Sequence, residues 1–500
     1  SLMNNSPNNL LLNNGTVDRH QWNNPSLSYY KTKEQAETAL NNFMNETPEI
    51  TLKEIKLQLE EAKKLVASLY QQYPHFPHAG ASKAKCLSVL ASILQMVRLS
   101  TLKEGAALGC PRSKKYWSGY HVGMDLALRV VDALDGSILN KVHDGRLYNC
   151  PELKQTKNGS VRKVGIVTQY QATEALTNNP RFYHAEFIEV HRPCLGSKKP
   201  QRKSERYYYK HNGLSAPKLT QKELHHMFRA DYRQMNIRQD QLNAFWLVHP
   251  LRVPSFGNNS APHYAACATR IFHGSPHNGG RYYGAWTNIG NAHRLCSTIN
   301  GEVVVSIDLN ASQPTLLSSL LGMKMRVGNE WDDLYNHVAL LSVDDVELSR
   351  HKLKAVATEL IGTGNPNKSG PSDDNRPLFG SSNDWHAYRL ALLSTVPALL
   401  QLDNNYMNGA GFLSYHEARI MEQTLFSLMA QGIAGYPIHD CVIVAAPHQE
   451  EAIQTYRNVV NCYVTQHCKE QNRDAAIDII VPVSIESHGA GKRRLSGYYR

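Results

Sequence analysis

Two aspartates interrupt runs of strand-forming residues in the C-terminal half of this 500-residue chain, and they restrict its fold more than any other feature. The β-branched run VVVSI ends in Asp308, and a helix is predicted soon afterwards, from Ser312 to Leu321. A buried strand that ends in a carboxylate is unfavourable unless the carboxylate meets a cation. Apolar runs also flank His439 and Asp440, which predicts a hairpin with the acid at its tight turn.

Two aspartates on neighbouring strands can bind two hard divalent cations through oxygen. Such ions, about 3.5 to 4 Å apart, stabilise the attacking and leaving oxygens of a phosphoryl transfer. Polymerases and nucleases both use this chemistry, so the acids alone do not separate the two classes. Downstream, a helix is predicted from His448 to His467 and a strand from Ile477 to Glu486, which together favour a layered arrangement of helices on a sheet.

A helix predicted between the two acids carries Arg350 and Lys354 four residues apart, on one face. Like charges at this spacing destabilise a helix by roughly a few tenths of a kcal/mol. A ligand with several negative charges, such as a triphosphate, would reverse that penalty. Two solvated cations on an exposed face are the alternative interpretation.

The acidic strand end, the R-x-x-x-K helix and the His-Asp hairpin occur in the order of motifs A, B and C of the A-family DNA polymerases and the single-subunit phage RNA polymerases, which this chain resembles from about Arg270 to Glu486. The resemblance implies that Asp308 and Asp440 bind catalytic Mg²⁺, with Mn²⁺ as an alternative. It implies that Arg350 and Lys354 grip the phosphates of the incoming nucleotide. His439 would support the primer terminus or, equally, pin the hairpin.

A GGR-aromatic stretch before an R…ING strand is similar to the phage and mobile-element branch of these palms. Here the stretch supplies Arg281 and Tyr282, and Arg294 precedes Asn300-Gly301. The resemblance implies that Arg281 or Arg294 contacts the template or primer backbone, and that Tyr282 also belongs to the nucleic-acid-binding set.

The chain departs from the family pattern in the nucleotide pocket. Gln313 stands where many A-family DNA polymerases carry a glutamate that helps to exclude ribonucleotides, so the sugar preference is open. Thr358 and Gly362 replace an aromatic residue after the motif B lysine, and Cys441 replaces the glutamate after the motif C aspartate. The pocket would be completed by other aromatic side chains, namely Phe379, Trp385 or Tyr388. No set of acids for a proofreading exonuclease is recognisable in the first half.

Charge and the N-terminal half point to nucleic acid. The net charge is +11, which favours a polyanionic partner. After a helix from Thr51 to Tyr70, the order helix, turn, helix and a hairpin around the HDGR turn resembles a winged-helix module, with Lys114 and Lys115 opening its second helix. Such modules bind DNA or dock proteins, and a small helical domain with a basic edge explains the residues equally well.

A second basic stretch, GSKKPQRKSERYYYKHNG, places Arg202 and Lys203 before three tyrosines. Cations that neutralise phosphates beside rings that stack on bases suit single-stranded or primed nucleic acid. A flexible basic loop is the alternative. A helix is predicted to follow, from Gln221 to Leu247.

The sequence as a whole predicts an α+β protein with a right-hand polymerase palm and fingers, an antiparallel palm sheet and a mostly helical, winged-helix-like N-terminal region. The expected segments are a disordered leader at 1–28, the winged-helix-like region at 29–160, a basic thumb-like region at 161–265 and the palm and fingers at 266–500. Nine scattered cysteines and no long apolar run predict a cytoplasmic protein without disulfides, a zinc site or a membrane span.

The predicted function is template-directed DNA synthesis without proofreading, from a DNA primer-template and nucleoside triphosphates. One alternative is an RNA-synthesising, primase-like or template-independent nucleotidyltransferase on the same palm. A second is a non-catalytic, DNA-binding replication-accessory protein. A nuclease is disfavoured because its chemistry does not call for the cationic helix.

Overall fold

The computed structural model describes a large part of the chain, and every structural statement below concerns these residues. They are 52–72, single positions between 83 and 97, 107–110, 112, 124–150, 162–166, 168–184, 195, 221–253, 264–265, 268–328, 330–339, 348–402, 409–473 and 479–499. The predicted leader at 1–28 lies outside them. In the described ranges, no helix combines the length and the apolar character that crossing a bilayer requires.

The chain divides into two compact units, neither of which is continuous in sequence. The first comprises residues 1–192, 239–269 and 283–301, and the second comprises 193–238, 270–282 and 302–500. Both units mix helices with antiparallel strands, so the predicted α+β class is confirmed. The sequence-based domain boundaries differ from these units in being contiguous, and they stay predictions.

The N-terminal part of the first unit has a helical core with a small sheet. Its elements are α1 (Leu52–Gln72), β1 (Leu108–Cys110), α2 (Met124–Leu134), β2 (Leu139–His143), β3 (Arg146–Cys150), β4 (Arg162–Ile166), β5 (Thr168–Ala172), α3 (Glu174–Thr177) and α4 (Pro180–His184). One continuous apolar cluster joins α1 and α2 to this sheet and includes Leu65, Leu90 and Val131. Burial of this kind of surface is the main stabilising term in such a small layer.

Strand pairing in this region corrects the predicted hairpin around the HDGR turn. The strands exist, but β2 pairs with β5 and β3 pairs with β4, all antiparallel. The consecutive strands β2 and β3 therefore pair with the consecutive strands β5 and β4, in antiparallel fashion. The order in the three-stranded sheet is β1-β5-β2, and the winged-helix-like module stays a prediction. Lys114 and Lys115 lie outside the described residues, as do Arg202 and Lys203 of the second basic stretch, so their predicted roles stay predictions.

Helices α5 (Gln221–Met227) and α6 (Arg229–Val248) occupy the span in which one helix was predicted, with a turn at Phe228. Shorter elements follow: β6 (Leu251–Arg252), β7 (Tyr264–Ala265), β8 (Ala268–Phe272), β9 (Gly279–Gly284), α7 (Asn291–Arg294) and β10 (Thr298–Ile299). In the first unit, Trp246 and Trp286 pack edge to face with centroids 5.5 Å apart, and both are fully buried.

The second unit is built on a five-stranded antiparallel sheet. Its strands are β11 (Glu302–Leu309), β13 (Tyr436–Ile438), β14 (Cys441–Ala445), β16 (Val483–Ser487) and β17 (Gly491–Leu495), in the order β13-β14-β11-β16-β17. Three shorter strands, β12 (Glu330–Trp331), β15 (Ile479–Ile480) and β18 (Gly497–Tyr499), form a separate small sheet. The strand predicted from Ile477 to Glu486 is therefore divided, because Pro482 has no backbone N–H for a sheet ladder.

Among the described residues, six helices follow β11 in this unit, in addition to α5. They are α8 (Ser312–Leu320), α9 (Leu334–Ala339), α10 (Arg350–Thr363), α11 (Ser382–Thr395), α12 (Gly409–Ala430) and α13 (Gln449–Glu470). The predicted helices after both acids are thus confirmed to within three residues at each end. Leu317, Leu428 and Val444 are among the fully buried residues of this core.

Candidate active site

The sheet of the second unit brings the two predicted acids together. Asp308 on β11 lies directly opposite Cys441 on β14, and Asp440 precedes Cys441 in the turn between β13 and β14. On its other side, Asp308 lies opposite Ser484 of β16. Directly paired residues project from the same face of a sheet. The two carboxylates, far apart in sequence, therefore occupy one small region of a single sheet.

This region is unfavourable for two negative charges. Burial raises the pKa of Asp308, although Lys492 and Lys354 act in the opposite direction. Burial also holds the pKa of Asp440 well above its ordinary value, and the charges of Asp308 and Glu417 raise it further. A carboxyl group with a raised pKa is one whose charged form lacks compensation. The site thus favours a cation.

The donor set fits Mg²⁺ better than a softer metal. In the described part of the chain, no group of three or more His, Cys, Asp or Glu side chains is arranged to hold a metal ion. Mg²⁺ is commonly held by one or two carboxylates, with water and substrate phosphates completing its ligand shell. Asp308 and Asp440 are two such carboxylates, whereas a structural zinc site would require four protein ligands.

Glu417 of α12 lies close enough to the acids for its charge to raise the pKa of Asp440. Its side chain is 3% exposed and pairs with Arg281 Nη2 at 2.6 Å. Ser312 Oγ donates to the other oxygen, Oε1, at 2.9 Å, and Gln313 Nε2 donates to Oε2, the oxygen paired with Arg281, at 3.4 Å. Arg281 and Gln313, predicted to bind nucleic acid and nucleotide, are therefore both attached to one buried carboxylate.

The hairpin turn that carries the second acid has an unusual backbone. Ile438 pairs with Cys441, so His439 and Asp440 alone form the turn, and His439 has a φ of 58°. A left-handed backbone is uncommon for residues other than glycine, although histidine adopts it more often than most, and it costs about 1 to 2 kcal/mol. The hydroxyl of Tyr456 on α13 donates to the carbonyl oxygen of Asp440 and helps to hold this turn.

Two cations of helix α10, Arg350 and Lys354, lie near acidic side chains. Arg350 Nε donates to Asp333 Oδ2 at 2.7 Å, and its guanidinium carbon lies 5.8 Å from the centre of the Tyr335 ring. Lys354 is exposed, yet it is close enough to lower the pKa of Asp308. The two cations that sequence spacing placed on one helical face thus have acidic neighbours in the same unit.

Two further cations come from strand β17 and were missed by sequence reasoning. Lys492 Nζ lies 3.8 Å from Asp308 Oδ2, and Arg494 Nη2 lies 3.4 Å from Asp333 Oδ2. The only sequence signal is their spacing of two residues in GKRRL, which in a strand places both on one face. That pattern identifies neither the partner strand nor the partner carboxylates.

Two other residues predicted to contact nucleic acid, Tyr282 and Arg294, make contacts within their own units. Tyr282 is 2% exposed, and the Arg270 guanidinium lies 4.9 Å from the centre of its ring. Little of this ring is exposed, and the predicted nucleic-acid contact of Tyr282 stays a prediction. Arg294 donates to the carbonyl oxygens of Trp286 and Ile289, at 3.2 and 2.6 Å, which fixes the local chain path.

The aromatic residues expected to complete a nucleotide pocket form a packed cluster beside α10. Phe379 contacts Trp385 and Tyr388 edge to face, at centroid distances of 5.2 and 5.8 Å. Tyr388 also accepts a hydrogen bond from the backbone N–H of Ser349, at the start of α10. The cluster supports the cationic helix. No described atom lies within 4 Å of a Cβ added at Gly362, so space exists where the family pattern has an aromatic ring.

Comparison with known proteins gives little beyond these observations. No protein-family model and no curated protein matches the chain. A solved structure described as the POL domain of Pol1 from M. smegmatis in complex with DNA primer-template and dNTP is similar, with a TM-score of 0.26 and 12% identity. The similarity covers 54% of this chain and 55% of that one, so the chain spans about half the length of that structure. A TM-score this low supports no functional assignment.

Proposed function

We propose that this chain is a template-directed nucleotidyltransferase, and specifically a DNA polymerase of the A-family type that lacks proofreading. The observation that carries the proposal is that Asp308 on β11 lies directly opposite Cys441 on β14, the residue that follows Asp440. Arg350 and Lys354 belong to the same unit. Paired carboxylates near cationic side chains suit a reaction in which negative charge is redistributed along a triphosphate.

In this reaction, the 3′ hydroxyl of a primer attacks the α-phosphate of a nucleotide, and pyrophosphate leaves. Asp308 and Asp440 would hold Mg²⁺, or alternatively Mn²⁺, and bound metal would stabilise the attacking and leaving oxygens. Arg350 and Lys354 would bind the triphosphate. Arg281, held by Glu417, would face the nucleic-acid strand. His439 would support the primer terminus from the turn that presents Asp440.

The test is extension of a primed DNA template by the full chain with Mg²⁺ and either dNTPs or NTPs. Asp308→Asn and Asp440→Asn should each remove extension, whereas Asp374→Asn, in an exposed loop of the same unit, should retain it. Extension that survives both active-site substitutions would overturn the two-metal assignment.

The same assay separates the competing functions. Incorporation of NTPs alone, or synthesis without primer or template, would favour the RNA-synthesising, primase-like or template-independent alternative, which Gln313 supports. DNA binding without incorporation of any nucleotide would favour the non-catalytic accessory alternative.

A further inference from the structure

Asp333 gathers two arginines from distant parts of the chain. Its side chain is 2% exposed, whereas those of Arg350 and Arg494 are 41% and 34% exposed. One arginine opens α10, and the other belongs to β17 near the C-terminal end of the described chain. A buried carboxylate thus positions two guanidinium groups that reach solvent.

The carboxylate itself has a fixed orientation. Asp333 Oδ1 accepts the backbone N–H groups of Tyr335 at 3.0 Å and Asn336 at 3.4 Å, at the start of α9. Asp333 Oδ2 therefore remains for Arg350 at 2.7 Å and Arg494 at 3.4 Å. Because one negative charge meets two positive ones, the group keeps an excess positive charge, which suits an anion.

Register places this group beside the acids. Arg494 lies opposite Ser484 on β16, and Ser484 lies opposite Asp308 on β11, so all three project from one face. Two strand spacings correspond to about 10 Å between the backbones of Arg494 and Asp308. Lys492 lies on the same face, near Asp308, whereas Arg493 points to the other face.

We infer that Arg494 and Arg350 together bind the phosphates of the incoming nucleoside triphosphate, and that Asp333 is the positioning residue that sets both guanidinium groups. This inference rests on the proposed function and adds a substrate-binding residue from β17. Guanidinium groups present parallel N–H donors that match phosphate oxygens, which lysine cannot reproduce. Hydrogen bonds to charged groups justify an expected loss of affinity of about 10-fold to 100-fold when one such contact is removed.

The experiment measures binding without turnover. Magnesium dATP, magnesium dAMP and inorganic tripolyphosphate are titrated calorimetrically into the full chain and into Arg494→Gln, Arg494→Lys and Arg493→Gln. Arg494→Gln and Arg494→Lys should weaken binding of dATP and tripolyphosphate by about 10-fold or more, with little change for dAMP. Arg493→Gln, the matched control on the opposite face, should bind all three ligands as the unsubstituted chain does.

Asp333→Asn tests the positioning role. Its oxygen can still accept the N–H groups at the start of α9, but the negative charge that pairs with the arginines is lost. In primer extension it should raise the KM for dNTP more than it lowers kcat, and circular dichroism should show a folded chain. An unchanged KM would remove the positioning role.

Failure of the inference differs from failure of the proposed function. If the unsubstituted chain binds dATP and extends a primer, but Arg494→Gln behaves as Arg493→Gln does, the assignment of Arg494 is overturned. If the unsubstituted chain neither binds dATP nor extends a primer, the proposed function itself fails.

Discussion

Ser312 donates its hydroxyl hydrogen to Glu417 at 2.9 Å, and both side chains are buried. Ser312 begins the helix that follows Asp308, and Glu417 lies on the helix that precedes the Asp440 hairpin. The contact therefore joins the two chain segments that deliver the acids. Because Glu417 also accepts hydrogen bonds from Arg281 and Gln313, one carboxylate fixes three side chains around the candidate site.

Substitution of Glu417 should affect stability as well as activity. Glu417→Gln leaves Arg281, whose side chain is 26% exposed, without its charged partner. Loss of one member of a buried ion pair costs about 3 kcal/mol, and we expect a loss near this size in urea unfolding. Glu451→Gln, on the exposed face of α13, is the control and should change the free energy of unfolding by less than about 0.5 kcal/mol. Equal effects of the two variants would contradict a structural role for Glu417.

The acid pair should make the fold sensitive to pH and to divalent ions. The pKa of Asp440 is raised, so the folded state binds a proton more tightly than the unfolded state does. Ionisation of the pair thus opposes folding at neutral pH, and this penalty disappears as the pH falls toward the ordinary aspartate value of about 4. Asp440→Asn should raise Tm at pH 8 in EDTA, with a smaller difference at pH 5.

Mg²⁺ gives an independent measure of the same pair. A ligand that binds only the folded state stabilises it by mass action, so Mg²⁺ should raise the Tm of the unsubstituted chain. The increase should be lost in Asp440→Asn. A Tm that rises equally in both proteins would indicate that the ion binds elsewhere.

His416 should destabilise the fold in acid. Burial lowers its pKa to about 3, with smaller effects from His467 and Arg419, and Tyr463 Oη lies 2.6 Å from its Nδ1. Below the unfolded value of about 6.5, the unfolded chain takes up a proton that the folded chain does not. Stability should fall by about 1.4 kcal/mol per pH unit between about pH 6 and pH 4 from this residue alone. In urea unfolding, the free energy of unfolding of His416→Gln should depend less on pH than that of the unsubstituted chain. His351→Gln, at an exposed position, should keep the pH dependence of the unsubstituted chain.

Glu422 should be among the most sensitive positions of the second unit. It is 3% exposed and pairs with Arg270 at 2.6 Å, Arg238 at 2.9 Å and Arg419 at 3.2 Å. Glu422→Gln leaves the buried Arg270 charge with a neutral partner, which should cost about 3 to 5 kcal/mol. The double variant Glu422→Leu with Arg270→Leu should recover part of this loss, because no buried charge remains at the pair. Additive losses in a double-mutant cycle would exclude the coupling.

Local patterns predicted the elements of the candidate site well. The β-branched run before Asp308, the helix after it and the two-residue turn at His439-Asp440 all depend on neighbouring residues, and the structure has them where periodicity placed them. The side of α10 that carries Arg350 and Lys354 also follows from helical spacing.

Long-range pairing was not predictable from the same patterns. The sequence around HDGR favours a local hairpin, yet β2 pairs with a strand that begins at Thr168. Arg494 and Lys492 reach their carboxylates only because β17 pairs with β16 and β16 with β11. Hydrophobic alternation states which residues share a face, but it does not state which strands will be neighbours.

The length of the turn between β16 and β17 determines which side chains face Asp308. Residues 488–490 connect β16 to β17 and fix the register in which Lys492 and Arg494 share a face with Asp308. Deletion of one residue there would shift the pairing by one position, turn Arg493 toward the acids and direct its two neighbours away from them. Related chains that keep this arrangement should therefore tolerate substitutions in this turn far more readily than single-residue insertions or deletions.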